Sequence, residues 1–581
     1  MRKALGGRGM VVMVTLAVAA VSVALMFDSG HPSARSPLEA SFTGERRRLS
    51  ESTNASTSDE SSHDDEHEGA HTDNGLLFAA LMVGMGVMVQ QLLLLTGEYF
   101  PLPYTVALVI LGGLFGSLNS IGTCVDLHNT TTEALQNATA CSEMAPRQCK
   151  DASDQCEFVS TLPSSLGLLA TSLDTWANID PNFLLYFFIP ALVYASAHVV
   201  DVHIFRESFI NVLSLAIPGV LLATYLMYFF FFNTYHDNDR YGWSFEACMT
   251  FGAILSATDP VAVVALLDDL GAPHKLSIAI EGESLLNDGT ALVLYKLFSE
   301  ALLGNENNLG DQFVFFIRLA LGGFGTGVIF GAITVLMLQF LASSLLETTW
   351  TFGAAYLTFF VCENENVQFS GVIGVVFLGV TVSLFGHTRL TSPEFMEHFW
   401  TMWNFVANTL IFSIAGVIIA ENTFFEEHVE AEDWGTLFVV YGIQLLIRAA
   451  VIAVLSPILY FSGRRHGYEL GWREMILLWW SGLRGAVGLI LALELSLQPT
   501  AGIVDDQQAH CNVSGTNPDC EGHWYIIGDG SLEDAERFQA LLTFFVAGFA
   551  LLTLLINGVT TRYLVSCLGV THKRIANKYE F

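Results

Sequence analysis

The chain has 581 residues, of which 52% are hydrophobic and only 14% charged, with a formal net charge of −32. Soluble domains average ~25% charged residues, so the composition excludes an ordinary soluble protein and predicts a polytopic membrane protein embedded in a lipid bilayer. Much of the acid falls in 59–68 and in loops, which places it on exposed surfaces and argues against nucleic acid as a partner.

Residues 1–27 open with Arg2, Lys3 and Arg8 before an apolar run from Met10, the pattern of a signal peptide or an uncleaved signal anchor. Residues 28–74 are rich in Ser, Glu, Asp and His without apolar periodicity, so a disordered extracytoplasmic tail is expected. His63, His67 and His71 read there as solvated side chains rather than metal ligands. Arg46-Arg47-Arg48-Leu49-Ser50 resembles a basic kinase site, but a translocated tail is beyond the reach of cytosolic kinases.

A hydropathy window of ~19 residues then predicts about thirteen transmembrane helices. They fall near 75–97, 102–120, 183–200, 208–233, 244–267, 277–302, 312–343, 346–362, 369–386, 397–420, 434–461, 473–496 and 537–566. The expected fold class is all-α, with a membrane domain over 75–566 and a short tail over 567–581. An odd number of spans puts the two ends on opposite sides, and basic residues set the orientation. Arg206, Lys275, Arg389, Arg464, Arg465, Arg473, Arg562, Lys573, Arg574 and Lys578 share one side, against Arg147, Lys150, Arg240 and Arg537 on the other, so a cytoplasmic carboxyl end is expected. Within the spans, Phe229-Phe230-Phe231-Phe232 reads as lipid-facing with Tyr228 and Tyr235 at the interface, and Glu363 and Glu365 read as solvated at a span end.

Sequons and cysteines bear on the same orientation. The glycosylation candidates Asn129, Asn137 and Asn512 lie in loops assigned to the outside, as does Asn54 in the tail. Cys124, Cys141, Cys149 and Cys156 share the second loop, and Cys511 and Cys520 share the last, which suits disulfides in an oxidising compartment better than zinc. Four cysteines allow three pairings, and all three stay open. Cys248, Cys362 and Cys567, within or beside spans, read as core residues.

Two spans break the apolar pattern. Ser256-Ala257-Thr258-Asp259-Pro260-Val261-Ala262-Val263 contains a proline that removes a donor and biases Asp259 away from helical geometry, so a helix break near Thr258 is expected. Broken backbone at membrane depth survives in protein or beside a water-filled cavity, and in transporters it typically builds the ion site. The next span carries Glu283, Ser284, Asn287 and Asp288, ionisable and polar groups that cost at least ~2.5–3.5 kcal/mol each when charged at mid-membrane. On a helix Glu283 and Asn287 share one face while Asp288 lies about 100° round, over Ser284. One carboxylate can therefore pair inside the protein while the other faces a cavity. Arg448, in the run Leu445-Leu446-Ile447-Arg448-Ala449-Ala450-Val451, is an obligate cation that must be neutralised, and Glu283 is its best partner. Seven spans after the proline break, Ser481-Gly482-Leu483-Arg484-Gly485-Ala486-Val487-Gly488 suggests a second interrupted helix, and paired interruptions point to inverted repeats.

Thr258-Asp259-Pro260-Val261-Ala262-Val263 and Gly282-Glu283-Ser284-Leu285-Leu286-Asn287-Asp288 resemble the two signatures of eukaryotic sodium/proton exchangers among the cation:proton antiporters, with wording nearest the plant salt-tolerance type. The resemblance extends more weakly over 76–563. It implies an antiporter fold with two interrupted crossing helices, a moving core made of spans in 208–302 and 434–566, and a dimerisation scaffold made of spans in 75–200 and 312–420. It also implies a homodimer, the pair Glu283 with Arg448, and a role for Arg484 in holding the crossing and offsetting Asp259. Asn408 and Ser370-Gly371 resemble family positions that interhelical packing would explain equally well.

The chemistry expected is transport without a cofactor and without covalent catalysis. A small monovalent cation wants oxygen ligands, which Asp288, Asp259, Thr258, Ser284 and Asn287 supply, so Na+ is expected at Asp288 and Asp259. Desolvation disfavours a charged carboxylate, so cation and proton compete for one site, and alternating access yields exchange. Asn287 stands where electrogenic bacterial relatives have a second Asp, which implies one-for-one, electroneutral exchange serving pH and sodium homeostasis. K+/H+ exchange in an organelle is the alternative, and the location is either plasma membrane or endomembrane. An intramembrane aspartyl protease is disfavoured by the missing Gly-x-Gly-Asp signature, a channel by the lack of a pore loop or charge ring, and a non-transporting sensor by the retained carboxylates. Two departures stand out. Pro190-Ala191-Leu192-Val193-Tyr194-Ala195-Ser196 lacks the acidic residue of the plant type, and only 567–581 follow the last span, against the long regulatory tail of many relatives.

Overall fold

The computed structural model describes residues 65–96, 103–119, 122–126, 156–160, 181–235, 240–259, 270–302, 309–364, 366–424, 429–466, 471–496 and 532–570, with scattered residues in 169–179 and 263–267. The expected signal over 1–27, residues 28–64 of the expected tail, the four sequon asparagines, Cys141, Cys149, Cys511, Cys520, Pro260, Glu365 and the carboxyl-terminal 571–581 lie outside the described residues, whereas 65–74, expected as part of the disordered tail, are helical.

The chain separates into two compact units. The first contains helix α1 (Asp65–Thr96, up to Leu95) and a two-stranded antiparallel sheet, β1 (Gly122–Asp126) and β2 (Cys156–Ser160). The register sets Asp126 opposite Cys156 and Cys124 opposite Phe158. Apart from this small sheet the described elements are helical, in line with the all-α expectation, and Cys124 and Cys156 stand on its two strands. Phe78 of α1 is fully buried, its N–H donates to Ser172 Oγ at 2.9 Å, and its ring meets Trp176 at 6.2 Å.

The second unit is helical. Its elements are α2 (Tyr104–Asn119, up to Ser117), α3 (Pro181–Val199), α4 (Val202–Ser214), α5 (Val220–Tyr235), α6 (Phe245–Ile254), α7 (His274–Leu302), α8 (Leu309–Leu338), α9 (Ser344–Glu363), α10 (Gly371–Gly386), α11 (Pro393–Phe424), α12 (Ala431–His466), α13 (Trp472–Trp480), α14 (Ala486–Ser496), α15 (Leu532–Leu552) and α16 (Val559–Leu568). Wide π turns at Leu215–Gly219, where Pro218 stands, and Thr553–Gly558 join α4 to α5 and α15 to α16. Local chemistry sets the ends. Asp201 caps α4 by accepting from His203 N at 2.9 Å, Ser244 caps α6 by accepting from Ala247 N at 3.2 Å, and Gly569 closes α16 at φ 61°. Among the described residues, seven helices are long and apolar enough to cross a membrane, and α2, α6, α10 and α14 are shorter apolar helices. The chain is a multi-pass membrane protein.

Small residues let the helices touch. On α8, Gly323, Gly327 and Gly331 recur at one-turn spacing against Ser370, Gly374 and Thr381 of the α10 region, and a side chain at Gly327 would collide with the Gly374 carbonyl. Gly112 and Gly116 of α2 lie in the same way on Ser413 and Val417 of α11.

Three sequence expectations are overturned here. Phe231 is 1% exposed because it packs on Trp243 and Phe251, and within its run Phe229 is the exposed ring. The Glu363 side chain is 2% exposed rather than solvated; it is ion-paired with Lys296 of α7 and accepts from Gly371 N at 2.8 Å, so it caps α10. Cys248 and Cys362 are buried, but Cys567 is exposed near the end of α16.

Candidate ion-binding site

Two interrupted helices cross in the middle of the second unit. The first is α6, which stops at Ile254 and gives way to a turn at Leu255 and Ser256 and then to non-helical backbone through Asp259. The break comes a turn before the expected Thr258, because Ser256 Oγ donates to Ala253 O at 2.7 Å and so ends the ladder locally. The second interruption runs from Ser481 to Gly485, between α13 and α14. The two breaks join as a single antiparallel bridge, in which Asp259 N donates to Leu483 O at 2.8 Å. Gly485 is required at this contact, since a Cβ there would occupy the Asp259 side chain.

Breaking a helix frees carbonyls that must be bonded when buried. Four consecutive ones are met by four side chains. Gln444 Nε2 of α12 donates to Leu255 O at 3.0 Å, Asn287 Nδ2 to Ser256 O at 3.0 Å, Arg484 Nη1 to Ala257 O at 2.5 Å, and Ser284 Oγ to Thr258 O. The second break is served in the same manner. Arg448 Nε and Nη2 donate to Leu478 O at 3.1 and 3.0 Å, and Asn557 Nδ2, held by Tyr441, donates to Trp480 O at 3.2 Å. Gln444, Tyr441 and Asn557 were not singled out by sequence, because an amide or phenol in an apolar span carries no mark of the freed carbonyl that it serves.

Each expected site residue can now be placed. Glu283 Oε1 accepts from Arg448 Nη2 at 3.1 Å, with side chains 6% and 15% exposed. Arg484, 6% exposed, lies over the Phe549 ring at 5.3 Å and braces the first break through Ala257 rather than reaching the second helix's own carbonyls. Asp288, Asp259, Thr258 and Ser284 line one cleft of about 70 Å³, together with Glu281, Ser196 and Asn408. Asn408 donates to Asn404 Oδ1 at 2.9 Å, and Ser370 takes part in the start of α10, its Oγ accepting from Ile373 N at 3.4 Å. Asn287 is not part of the cleft wall. Its Nδ2 also donates to Thr258 Oγ1 at 2.9 Å, which makes it a brace behind the site whose oxygen faces the opposite way. At the crossing the cleft therefore offers two carboxylates and two hydroxyls from two elements, α7 and the first break, a set of hard oxygen donors suited to a small cation.

The sequence comparisons agree with this architecture. A family model described as the transmembrane sodium/hydrogen exchanger matches residues 86–567. Sodium/hydrogen exchanger 7 of Arabidopsis thaliana is 33% identical over 527 residues, which are 90% of this chain and 38% of that protein. Sodium/hydrogen exchanger 8 of the same plant is 34% identical over 427 residues, 72% of this chain and 51% of that protein. The chain thus spans about half or less of these relatives. Among solved structures, the sodium proton antiporter MjNhaP1 from Methanocaldococcus jannaschii has the same fold, with a TM-score of 0.56 at 15% identity over 86% of this chain and 99% of that one. A match over 86–567, laid on two interrupted helices that cross beside Asp259, Glu283 and Asp288, establishes that the chain belongs to the sodium/hydrogen exchanger family.

Proposed function

We propose that this chain is a secondary antiporter that exchanges Na+ for H+ by alternating access, with one cation moved per proton. The observation that carries the reading is the cleft that runs along α7 from Glu281 and ends on Asp288, Asp259, Thr258 and Ser284 at the crossing of the breaks. Asp288 holds the exchanged ion, Asp259 and the hydroxyls complete its shell with water, and Asn287 holds Thr258 in place. Cation and proton compete for the same carboxylates. The names carried by the two plant relatives support sodium as the cation.

The cleft opens toward the cytoplasm on this reading, since Lys275, one of the basic residues that mark that side, precedes Glu281 on α7. Past Asp288 the packing of α7 closes the outward side on this reading. Gly289 lies against Ile373, and Val293 packs with Leu319 and Ile373. The spans in 208–302 and 434–566 carry the site as a moving core against a scaffold of 75–200 and 312–420, and the scaffold pairs two copies. The carboxyl end is cytoplasmic, and the outer loops carry the glycans and disulfides. Glu283 is committed to its ion pair with Arg448 and takes no part in proton carriage, which leaves the exchange electroneutral.

Proton flux in reconstituted vesicles tests this under Na+, Li+ and K+ gradients with the membrane potential clamped. Sodium-driven flux whose reversal point is indifferent to voltage is expected. A reversal point that moves with voltage would refute the one-for-one ratio, and absence of cation-driven flux would refute the function.

A further inference from the structure

Three of the side chains that cap the first break spend one polar atom on it and turn another away. Asn287 and Gln444 each donate through the amide nitrogen, to Ser256 O and Leu255 O, both at 3.0 Å. Neither amide can be reversed, because that would set oxygen against carbonyl oxygen. Arg484 uses Nη1 on Ala257 O. Asn287 Oδ1, Gln444 Oε1 and Arg484 Nε are then buried without a partner in the protein, on residues 2%, 3% and 6% exposed. All three residues line one small cavity of about 30 Å³ behind the crossing, which Ser256, Glu283 and Arg448 also line.

Buried polar atoms in folded proteins are nearly always bonded, and the exceptions call for an unseen partner. The chemistry of this set is narrow. Two acceptors and one donor need a molecule that donates twice and accepts once. A cation would face two guanidinium groups against one carboxylate, and an anion would face two amide oxygens. Water meets every requirement, and buried water of this kind makes about three hydrogen bonds.

We propose that the cavity behind the crossing holds ordered water bonded to Asn287 Oδ1, Gln444 Oε1 and Arg484 Nε. The water ties together the caps of three consecutive carbonyls, so it fixes the segment that presents Thr258 and Asp259 to the cleft. Gln444 is thereby a positioning residue for the ion site, although it does not line the cleft. That last step rests on the exchange reading above, whereas the water site does not.

A cryo-EM map of the full chain in nanodiscs, at a resolution that shows individual waters, is the first test. Density bridging the three atoms is expected; an empty cavity in a map that resolves waters elsewhere in the protein would overturn the proposal. Gln444→Met is the second. It should lose the bridging density and raise the KM for Na+ several-fold while changing the maximal rate much less, a split that general loosening of the fold would not produce. A wild-type KM in that variant would remove Gln444 from the positioning role. If the variant does not fold, the wild-type map alone decides, and if the wild type transports no cation, the exchange reading fails while the density still decides the water.

Discussion

Replacing Arg448 by methionine leaves the Glu283 carboxylate, 6% exposed, without its partner at 3.1 Å. The guanidinium also donates twice to Leu478 O, so the same change orphans a carbonyl at the end of α13. Stranding a buried charge costs ~3–5 kcal/mol and leaving a buried carbonyl unbonded ~1–3 kcal/mol. The loss is then roughly 4–8 kcal/mol, comparable with the ~5–15 kcal/mol that hold a typical folded domain, and little folded protein should survive extraction. The swap Glu283→Arg with Arg448→Glu restores the ion pair but not the bonds to Leu478 O, because a carboxylate does not donate. It should recover the first part of the loss and not the second. Denaturation midpoints in detergent for the wild type, Glu283→Gln, Arg448→Met and the double variant give the coupling directly, and ~2 kcal/mol or more is expected. Coupling within ~0.5 kcal/mol of zero would show that the pair does not hold the crossing together.

Three further outcomes are expected. Asp288→Asn should abolish cation-driven proton flux while leaving the unfolding midpoint and membrane delivery near wild type; normal flux in that variant would sink the mechanism. Asp259→Asn removes one charged ligand, worth ~1.5–3 kcal/mol, so the KM for Na+ in isotope uptake should rise roughly tenfold to a hundredfold, and an unchanged KM would take Asp259 out of the site. Lys296→Met strands the Glu363 carboxylate, 2% exposed, whereas Lys296→Met with Glu363→Gln leaves no charge behind. The double variant should therefore unfold later than the single one by ~3 kcal/mol or more, and equal midpoints would show that the charge is not confined.

How far the sequence could be read follows from what each residue has to do locally. The two breaks were legible because proline and clustered glycines act on their own backbone, whatever surrounds them. Glu283 and Arg448 were legible as partners because a lone charge at membrane depth restricts its own options, and the two stand 3.1 Å apart. Gln444 was not, since its partner is a carbonyl 189 positions away whose freedom depends on where α6 ends. The same holds for Lys296 and Glu363, separated by 67 positions, where each charge sits near a span end and solvent is the simpler expectation. Phe231 differs from Phe229 only in the direction that it faces, and a run of four phenylalanines hides that difference. The orientation of the Asn287 amide also lay beyond composition, because it is set by which of Ser256, Thr258 and the rear cavity accepts its hydrogens.

The charge at the crossing bears on the proposed one-for-one exchange. Asp259, Asp288 and Glu283 set three negative charges against Arg448 and Arg484, so these five residues sum to −1 when all are ionised. Glu281, also on the cleft, is seven positions before Asp288, ~10 Å along the helix, and part-exposed. One monovalent cation, or one proton on a carboxylate, brings the sum to zero, whereas an empty or doubly loaded site leaves a charge in the membrane. An uncompensated charge at mid-membrane costs at least ~2.5–3.5 kcal/mol, a penalty that slows the empty core's crossing by roughly a hundredfold or more. Coupling then needs no gate that senses the ligand, because neutrality itself admits one ion at a time. The amide at position 287 matters for the same reason. A carboxylate there would lower the sum to −2, so two protons would neutralise the crossing where one cation leaves −1, and exchange of two protons for one cation would carry net charge across the membrane.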